Sequence, residues 1–231
     1  MSVIDVDTVT WAPGSYLHRL TAQARDSLRT MTPRRRAEPG DVLISQGAVE
    51  RHVILLHSGI SKVTVLTAEG VDSLLAIRVS GDLIGEMSAL NDLPRSATAT
   101  ACTPLVYSVI RRSRFQTFLE HQPSAALALA GMVADRLRWA NQFRVDFTAY
   151  PARVRVARVL VKMALTYGRR TTTGLEIGFE LTQSELASLC GAAEVTVQKS
   201  LREFRQAGSI ITGYRTVTVV DLDLLQRTAE L

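Results

Sequence analysis

The sequence predicts an α+β protein in three parts: an antiparallel β-sandwich or β-roll, a long helix, and a helix-turn-helix with a hairpin wing. Three observations carry this. Between Arg35 and Ile110, short β-branched runs such as VLISQG, HVILLHSG and SKVTVLTAEG alternate with glycines at 40, 47, 59, 70 and 81, the pattern of short strands joined by tight turns. From Ser124 to Thr148, Ala and Leu dominate and apolar residues recur at three- and four-residue spacing. Beyond these, LTQSELASLCGAAEVTVQKSLREF (181–204) reads as two helices hinged at Gly191.

Residues 1 to about 20 lack a clear period and are expected to form an arm, with a short helix beginning near Tyr16. Thr21–Thr30 places Leu20, Ala24 and Leu28 at fourfold spacing, a second helix. The strands follow, with a short helix near Met87–Leu90 before the last of them. The long helix has its stripe at Leu129, Val133, Leu137, Ala140 and Phe147, with Trp139 and Phe143 on adjacent faces. That is more apolar surface than one roll needs, so the helix either enters its own core or pairs with a second copy. Pro151 ends it, because proline cannot continue a helix interior. Ala152–Tyr167 is a basic amphipathic helix with Val156, Val159, Leu160 and Met163 inward and Arg153, Arg155, Arg158 and Lys162 outward; GRRTTTG then reads as a polar loop. Thr182 and Glu185 fit a capping box, and Leu186, Leu189 and Cys190 supply the core face of that helix. After Gly191, Val195, Val197, Leu201 and Phe204 resume an apolar period. The wing is GSII followed by GYRTVTV.

Composition sets outer limits. A chain of 231 residues with 46% hydrophobic content is long enough for one large or two modest globular domains. The net charge of +5 is compatible with nucleic acid without demanding it. The first 150 residues carry 16 basic and 14 acidic side chains and the remainder 11 and 8, so the C-terminal part is the more basic per residue. Cys102 and Cys190 are far apart, lack metal-ligand spacing, and read as reduced core residues of a cytoplasmic protein. Asp5 and Asp7 interrupt the start where a secretory leader would be basic and then apolar, and no apolar run approaches the 18 residues of a membrane span, so no membrane association is expected. His18, His52, His57 and His121 are scattered, none in a nucleophile or metal pattern, and no enzyme activity is expected.

The chemistry concentrates in IGEMSALNDLPRSATATA (84–101). Gly85 permits close backbone approach because it has no Cβ. Arg95 offers a planar fork of donors matched to a phosphate, and Ser96 adds a hydroxyl. Glu86 only accepts hydrogen bonds, which suits a sugar hydroxyl. Together they describe a site for a ribose carrying a phosphate; a buried Glu–Arg ion pair is the competing reading.

GEMSAL followed by PRSAT resembles the phosphate-binding cassette of cyclic-nucleotide-binding domains, and the chain from about residue 25 to 225 is similar to the Crp/Fnr family of transcriptional regulators. The resemblance implies that Glu86 accepts the ribose 2′-hydroxyl and Arg95 neutralises the cyclic phosphate, with Gly85, Met87, Ser96 and Ala97 completing the site. It implies that the long helix is a dimerisation helix, dividing the chain into a cyclic-nucleotide-binding roll (1–120), dimerisation helix and hinge (121–150) and a winged helix-turn-helix (151–231). Where the best-known cyclic AMP receptors carry a base-contacting Thr-Ser pair, this sequence has Ala140 and Asn141. Asn141, both donor and acceptor, can read a purine edge or specify helix register. Cyclic AMP is the default ligand, with cyclic GMP, another cyclic nucleotide or no nucleotide as the alternatives.

Matching the family's recognition helix puts Glu194, Val195, Thr196, Gln198 and Lys199 at the major groove, with Thr182, Gln183 and Arg202 in the same DNA-binding set. The familiar Arg-Glu…Arg reading set appears here as Glu194, Val195 and Lys199, so a different operator is expected. Lys199 suits guanine, Gln198 adenine and Glu194 a cytosine amine. Implied partners are double-stranded DNA, a second copy of the chain and RNA polymerase. No metal, haem or iron–sulfur cluster is expected: the N-terminal cysteine cluster of the family's oxygen-sensing members is missing, no cysteine preceding Cys102, and no His or Cys near the roll matches the axial ligands of its haem-sensing members. Two other functions are weighed: a nucleotide-independent orphan regulator, and a nucleotide-binding regulatory module that does not bind DNA.

Overall fold

The computed structural model describes residues 11–231. The first half of the arm expected at the N-terminus lies outside the described residues. Two compact units are formed, one by the chain up to Ser61 with Ile77–Asp135, the other by Lys62–Ala76 with Arg136–Leu231. Strands β1 (Arg34–Ala37), β2 (Val42–Ile44), β3 (Val53–Ser58), β4 (Ser61–Leu66), β5 (Asp72–Arg78), β6 (Leu83–Ile84), β7 (Thr98–Ala101) and β8 (Leu105–Ile110) follow two short helices, α1 (Tyr16–Arg19) and α2 (Ala22–Thr30). The five turn glycines of the sequence all have positive φ, between 77° and 96°.

In the first unit, β1, β8, β3 and β6 form an antiparallel sheet in that order, and β2 pairs with β7 across a bulge between Val42 and Ile44. β3 reads VILLHS and its first five residues are all buried, so it is the central strand of the core. The core gathers Tyr16, Leu17 and Leu28 against Val53, Leu55, Leu83, Ile110 and Phe115. Phe115 comes from α4 (Arg112–His121), a helix the sequence pattern did not announce. Ala125, Leu129 and Met132, from the start of helix α5 (Pro123–Ala149), close the same core. The buried Tyr16 hydroxyl donates to the Ala125 carbonyl at 3.1 Å, and burial holds its phenol well above the usual tyrosine range. On β3 the fully buried His57 meets the Ser108 hydroxyl at 2.8 Å while its Nδ1 has no partner; burial, assisted by Arg34 and Arg29, lowers its pKa to about 4.

The stripe anticipated along α5 divides in two. Leu129 is buried and Val133 packs on the first unit's core, whereas Leu137, Ala140 and Phe147 are exposed. A separate seam, Leu127, Ala130, Ala134, Leu137, Asn141, Arg144 and Thr148, runs exposed along the helix with alternating spacings of three and four. The sequence reading merged two neighbouring stripes because both satisfy the same helical period.

The second unit contains the β4–β5 hairpin, the rest of α5, and α6 (Ala152–Tyr167), around which the C-terminal elements pack. These are β9 (Gly168–Arg170), β10 (Leu175–Ile177), α7 (Gln183–Cys190), α8 (Glu194–Gln206), β11 (Ile210–Gly213), β12 (Thr216–Val219) and α9 (Leu222–Thr228). The expected polar loop GRRTTTG is in part strand: Arg169 and Arg170 pair with Glu176 and Leu175 in a hairpin that extends the wing sheet to the order β11-β12-β10-β9. Of the four basic residues expected outward on α6, Arg153 and Lys162 are exposed, but Arg155 and Arg158 are not a solvated face. Arg155 donates to the carbonyls of Tyr150, Cys190 and Gly191 at 2.8, 2.8 and 2.7 Å; Arg158 pairs with Asp146 at 3.0 Å and reaches the Ala229 carbonyl. Lys162 stands over the Trp139 ring. Long side chains with apolar stems can cover a surface and still satisfy its carbonyls, a use that binary patterning does not encode. Cys190 is fully buried, its thiol pushed up by burial, while Cys102 is half-buried. Among the described residues no helix is long and apolar enough to cross a membrane.

Candidate functional site

Two constellations stand out, one in each unit. The first is built at the turn from β6 into helix α3 (Glu86–Asn91). Gly85 sits there with φ +81°, and any Cβ on it would collide with Nη1 of Arg95. Glycine is therefore required twice over, by the left-handed backbone and by the guanidinium lying against it. Arg95 is 2% exposed. It donates from Nη1 to the Gly85 carbonyl at 2.8 Å and from Nη2 to the His52 carbonyl at 2.6 Å, while Nε is buried with no partner. Its backbone is fixed as firmly: the Arg95 N–H donates to Ala48 and its carbonyl accepts from Gly47. Burial lowers the guanidinium pKa; Glu50 and Glu86 oppose this and Arg51 adds to it. Glu86, the first residue of α3, is 5% exposed.

Two charges so enclosed are costly unless compensated. The orphaned Nε marks where the protein's own groups fall short, and an anion is the chemistry that would complete it. Around this pair Ala97 is buried, while Met87 and Ser96 are exposed.

Sequence reasoning missed the scaffold that holds the pair. Asp92, in the left-handed region at φ +61°, ends α3 and accepts from Arg51 at 3.0 Å and from Arg112 at 2.8 Å; Arg112 also caps the Ala89 carbonyl. Arg51 immediately precedes the residue whose carbonyl holds Arg95, so one carboxylate ties that segment, α3 and α4 together. A non-glycine residue with positive φ leaves no motif, although Asn-Asp ahead of the Pro-Arg was a usable turn signal. Asn141 lies on the exposed seam of α5, in the second unit.

The second constellation is the helix pair α7–α8. Thr182 Oγ1 accepts from the Glu185 N–H at 3.1 Å and Glu185 Oε2 accepts from the Thr182 N–H at 2.8 Å, a complete capping box. Glu185 also holds Lys62 of the β4–β5 hairpin at 2.7 Å. Gly191 turns the chain at φ +56°, and a Cβ there would press on the Phe147 ring of α5 at 2.9 Å. Helix α8 then buries Val197, Ser200, Leu201 and Phe204 and turns Glu194, Val195, Gln198, Lys199 and Arg202 to solvent. Thr196 is half-buried, its carbonyl accepting from the Ser200 hydroxyl.

A groove of about 730 Å³ runs between this helix and the wing, lined by Thr182, Gln183, Glu194, Gln198 and Arg202 from the predicted set. Thr196 and Lys199 are not part of its lining. The wing contributes Tyr214, 80% exposed, and Arg215 at φ +54°, and Arg205 reaches the Thr212 hydroxyl at 3.0 Å; none of these three was singled out from sequence. An exposed helix face carrying Glu194, Gln198, Lys199 and Arg202 beside a hairpin that bears Tyr214 and Arg215 is suited to the edges and phosphates of a duplex.

Comparison with known proteins finds a family match over the stretch that contains each constellation. Residues 34–122 match the cyclic nucleotide-binding domain, and residues 154–228 match the Crp-like helix-turn-helix domain. The chain is 30% identical over 192 residues to the CRP-like cAMP-activated global transcriptional regulator of Mycobacterium tuberculosis, covering 82% of this chain and 85% of that one. It is 30% identical over 213 residues to the cyclic AMP receptor protein of Thermus thermophilus, covering 92% and 95%. Among solved structures, a CRP-family transcriptional regulator from Thermus thermophilus superposes with a TM-score of 0.73 at 25% identity, covering 85% of this chain and 97% of that one.

Proposed function

Because the chain belongs to the Crp/Fnr family of transcriptional regulators, we propose that it is a homodimeric transcription factor that binds DNA under control of a cyclic nucleotide, cyclic AMP in the first instance. The observation that carries this reading is the enclosed Glu86–Arg95 pair with its unmatched Nε. In this reading Arg95 meets the cyclic phosphate, Glu86 the ribose 2′-hydroxyl, and Gly85, Met87, Ser96 and Ala97 the rest of the ligand. The names of the Mycobacterium and Thermus relatives favour cyclic AMP over cyclic GMP. The domains are taken as 1–120, 121–150 and 151–231.

A second copy of the chain is the proposed occupant of the α5 seam. Residues at alternating three and four spacing make a coiled-coil stripe, and a single Asn on such a stripe fixes register. Asn141 therefore sets the pairing of the two helices, or reads the base from that position. Thr182, Gln183, Glu194, Thr196, Gln198, Lys199 and Arg202 engage the duplex, and RNA polymerase is the further partner, in the cytoplasm. Ligand acts by binding the DNA-competent arrangement more tightly than the alternative.

One observation favours a second reading. Two guanidinium nitrogens of Arg95 already have carbonyl partners, so the pocket is partly satisfied by the protein itself and a nucleotide-independent regulator is the competitor. Operator affinity measured with and without cyclic AMP or cyclic GMP separates them. A rise of tenfold or more supports ligand control; equal affinity establishes the orphan regulator; no operator bound under either condition leaves a module that does not bind DNA.

A further inference from the structure

Helix α8 presents an apolar side chain where its solvent face is otherwise polar. Val195 lies in the first turn, 75% exposed. Gln198, Lys199 and Arg202 follow it at i+3, i+4 and i+7, so the four form one stripe along the helix, with Val195 at the end that approaches base edges. Its neighbour two residues on, Val197, is fully buried, so the core of α8 does not need Val195. A β-branched residue here also lowers helix propensity slightly.

We infer that Val195 is a specificity-determining residue that reads the C5-methyl group of a thymine. The inference rests on the DNA-binding reading above and deepens it. In the major groove the thymine methyl is the only apolar group that base edges present, so an isolated valine among amides and cations discriminates only by covering it. Polar readers on the same stripe, Gln198 and Lys199, would then address the neighbouring base pairs, giving a half-site in which one thymine sits beside hydrogen-bonded positions. Burying one methyl against valine is worth about fourfold in affinity per half-site, or roughly fifteenfold for a dimer on a palindrome.

The test uses the full-length protein and a duplex selected from a random library, with each thymine replaced in turn by deoxyuridine, which removes only the methyl. The expected result is one thymine per half-site at which deoxyuridine weakens the wild type by about fourfold, while Val195→Ala, whose single methyl reaches less of the thymine methyl, shows a clearly smaller difference between the two duplexes. Alanine is the strongest helix former and the side chain is exposed, so the variant keeps its fold. Binding that is insensitive to every such replacement overturns the inference, as does an equal loss in wild type and variant, which would assign the methyl to another residue. Failure to select any duplex would instead remove the DNA-binding reading, and this inference with it.

Discussion

In the cassette the two charged side chains are shut away from water, Glu86 at 5% and Arg95 at 2% exposure, whereas on α8 the polar side chains proposed to meet DNA stand in solvent and only the opposite face is covered. The cassette must be prepaid: its charged groups are already desolvated by the protein, the Gly85 and His52 carbonyls hold Arg95, and Asp92 anchors the neighbouring Arg51 and Arg112. This exposed face costs almost nothing to keep in water, and its placement is fixed beneath it, by the capping box and the Gly191 turn. Substitutions in the first region should therefore change binding and stability together, while those on the second should change recognition alone.

The comparison breaks most sharply at Arg95. Arg95→Ala removes at least two charge-assisted hydrogen bonds to a phosphate, each about 1.5–3 kcal/mol, so calorimetry should show nucleotide affinity falling by a hundredfold or more; unchanged affinity would remove the phosphate assignment. Next is the pH response of the first unit. His57 is depressed from 6.5 to about 4 in the folded state. The unfolded chain therefore takes up a proton first as pH falls. Stability should be fully present above about pH 6.5, decline by roughly 3 kcal/mol on acidification to pH 4, and level off below. Thermal unfolding of wild type and His57→Gln across that range would show it, the variant lacking this component. On the exposed face, Lys199→Ala should cost roughly 1–3 kcal/mol against the preferred duplex and relax one base pair. An equal loss across unrelated sequences would make Lys199 a phosphate contact. The smallest expected effect is Thr182→Ala, which opens the capping box: about 1 kcal/mol of stability by denaturant titration, with nucleotide affinity unchanged.

Much of this was legible in the residues. The spacing GE…PRSA located the buried pair, glycine breaks located the strands, and Thr182 with Glu185 located the start of α7. What escaped notice depends on partners distant in sequence. Gly168–Arg170 is composed like a loop and becomes a strand because β10 offers it an edge. Arg155 and Arg158 look like a solvated face until the carbonyls they satisfy come from residues up to 71 positions away. Phe115 and Phe118 of α4 carry too short a period to declare a helix, yet both end up buried. The seam on α5 was hidden by a neighbouring stripe that serves the molecule's own core.

Arg155 carries one more implication. With a single guanidinium it fastens the carbonyl at the hinge after α5 to the two carbonyls at the α7–α8 corner, and its charge rests on the ring of Phe147. Any swivel of the long helix's last turn is thereby handed to the corner as one stiff piece, like a pawl on a ratchet wheel. A lysine there, a point charge on a supple stem, would introduce slack into that linkage.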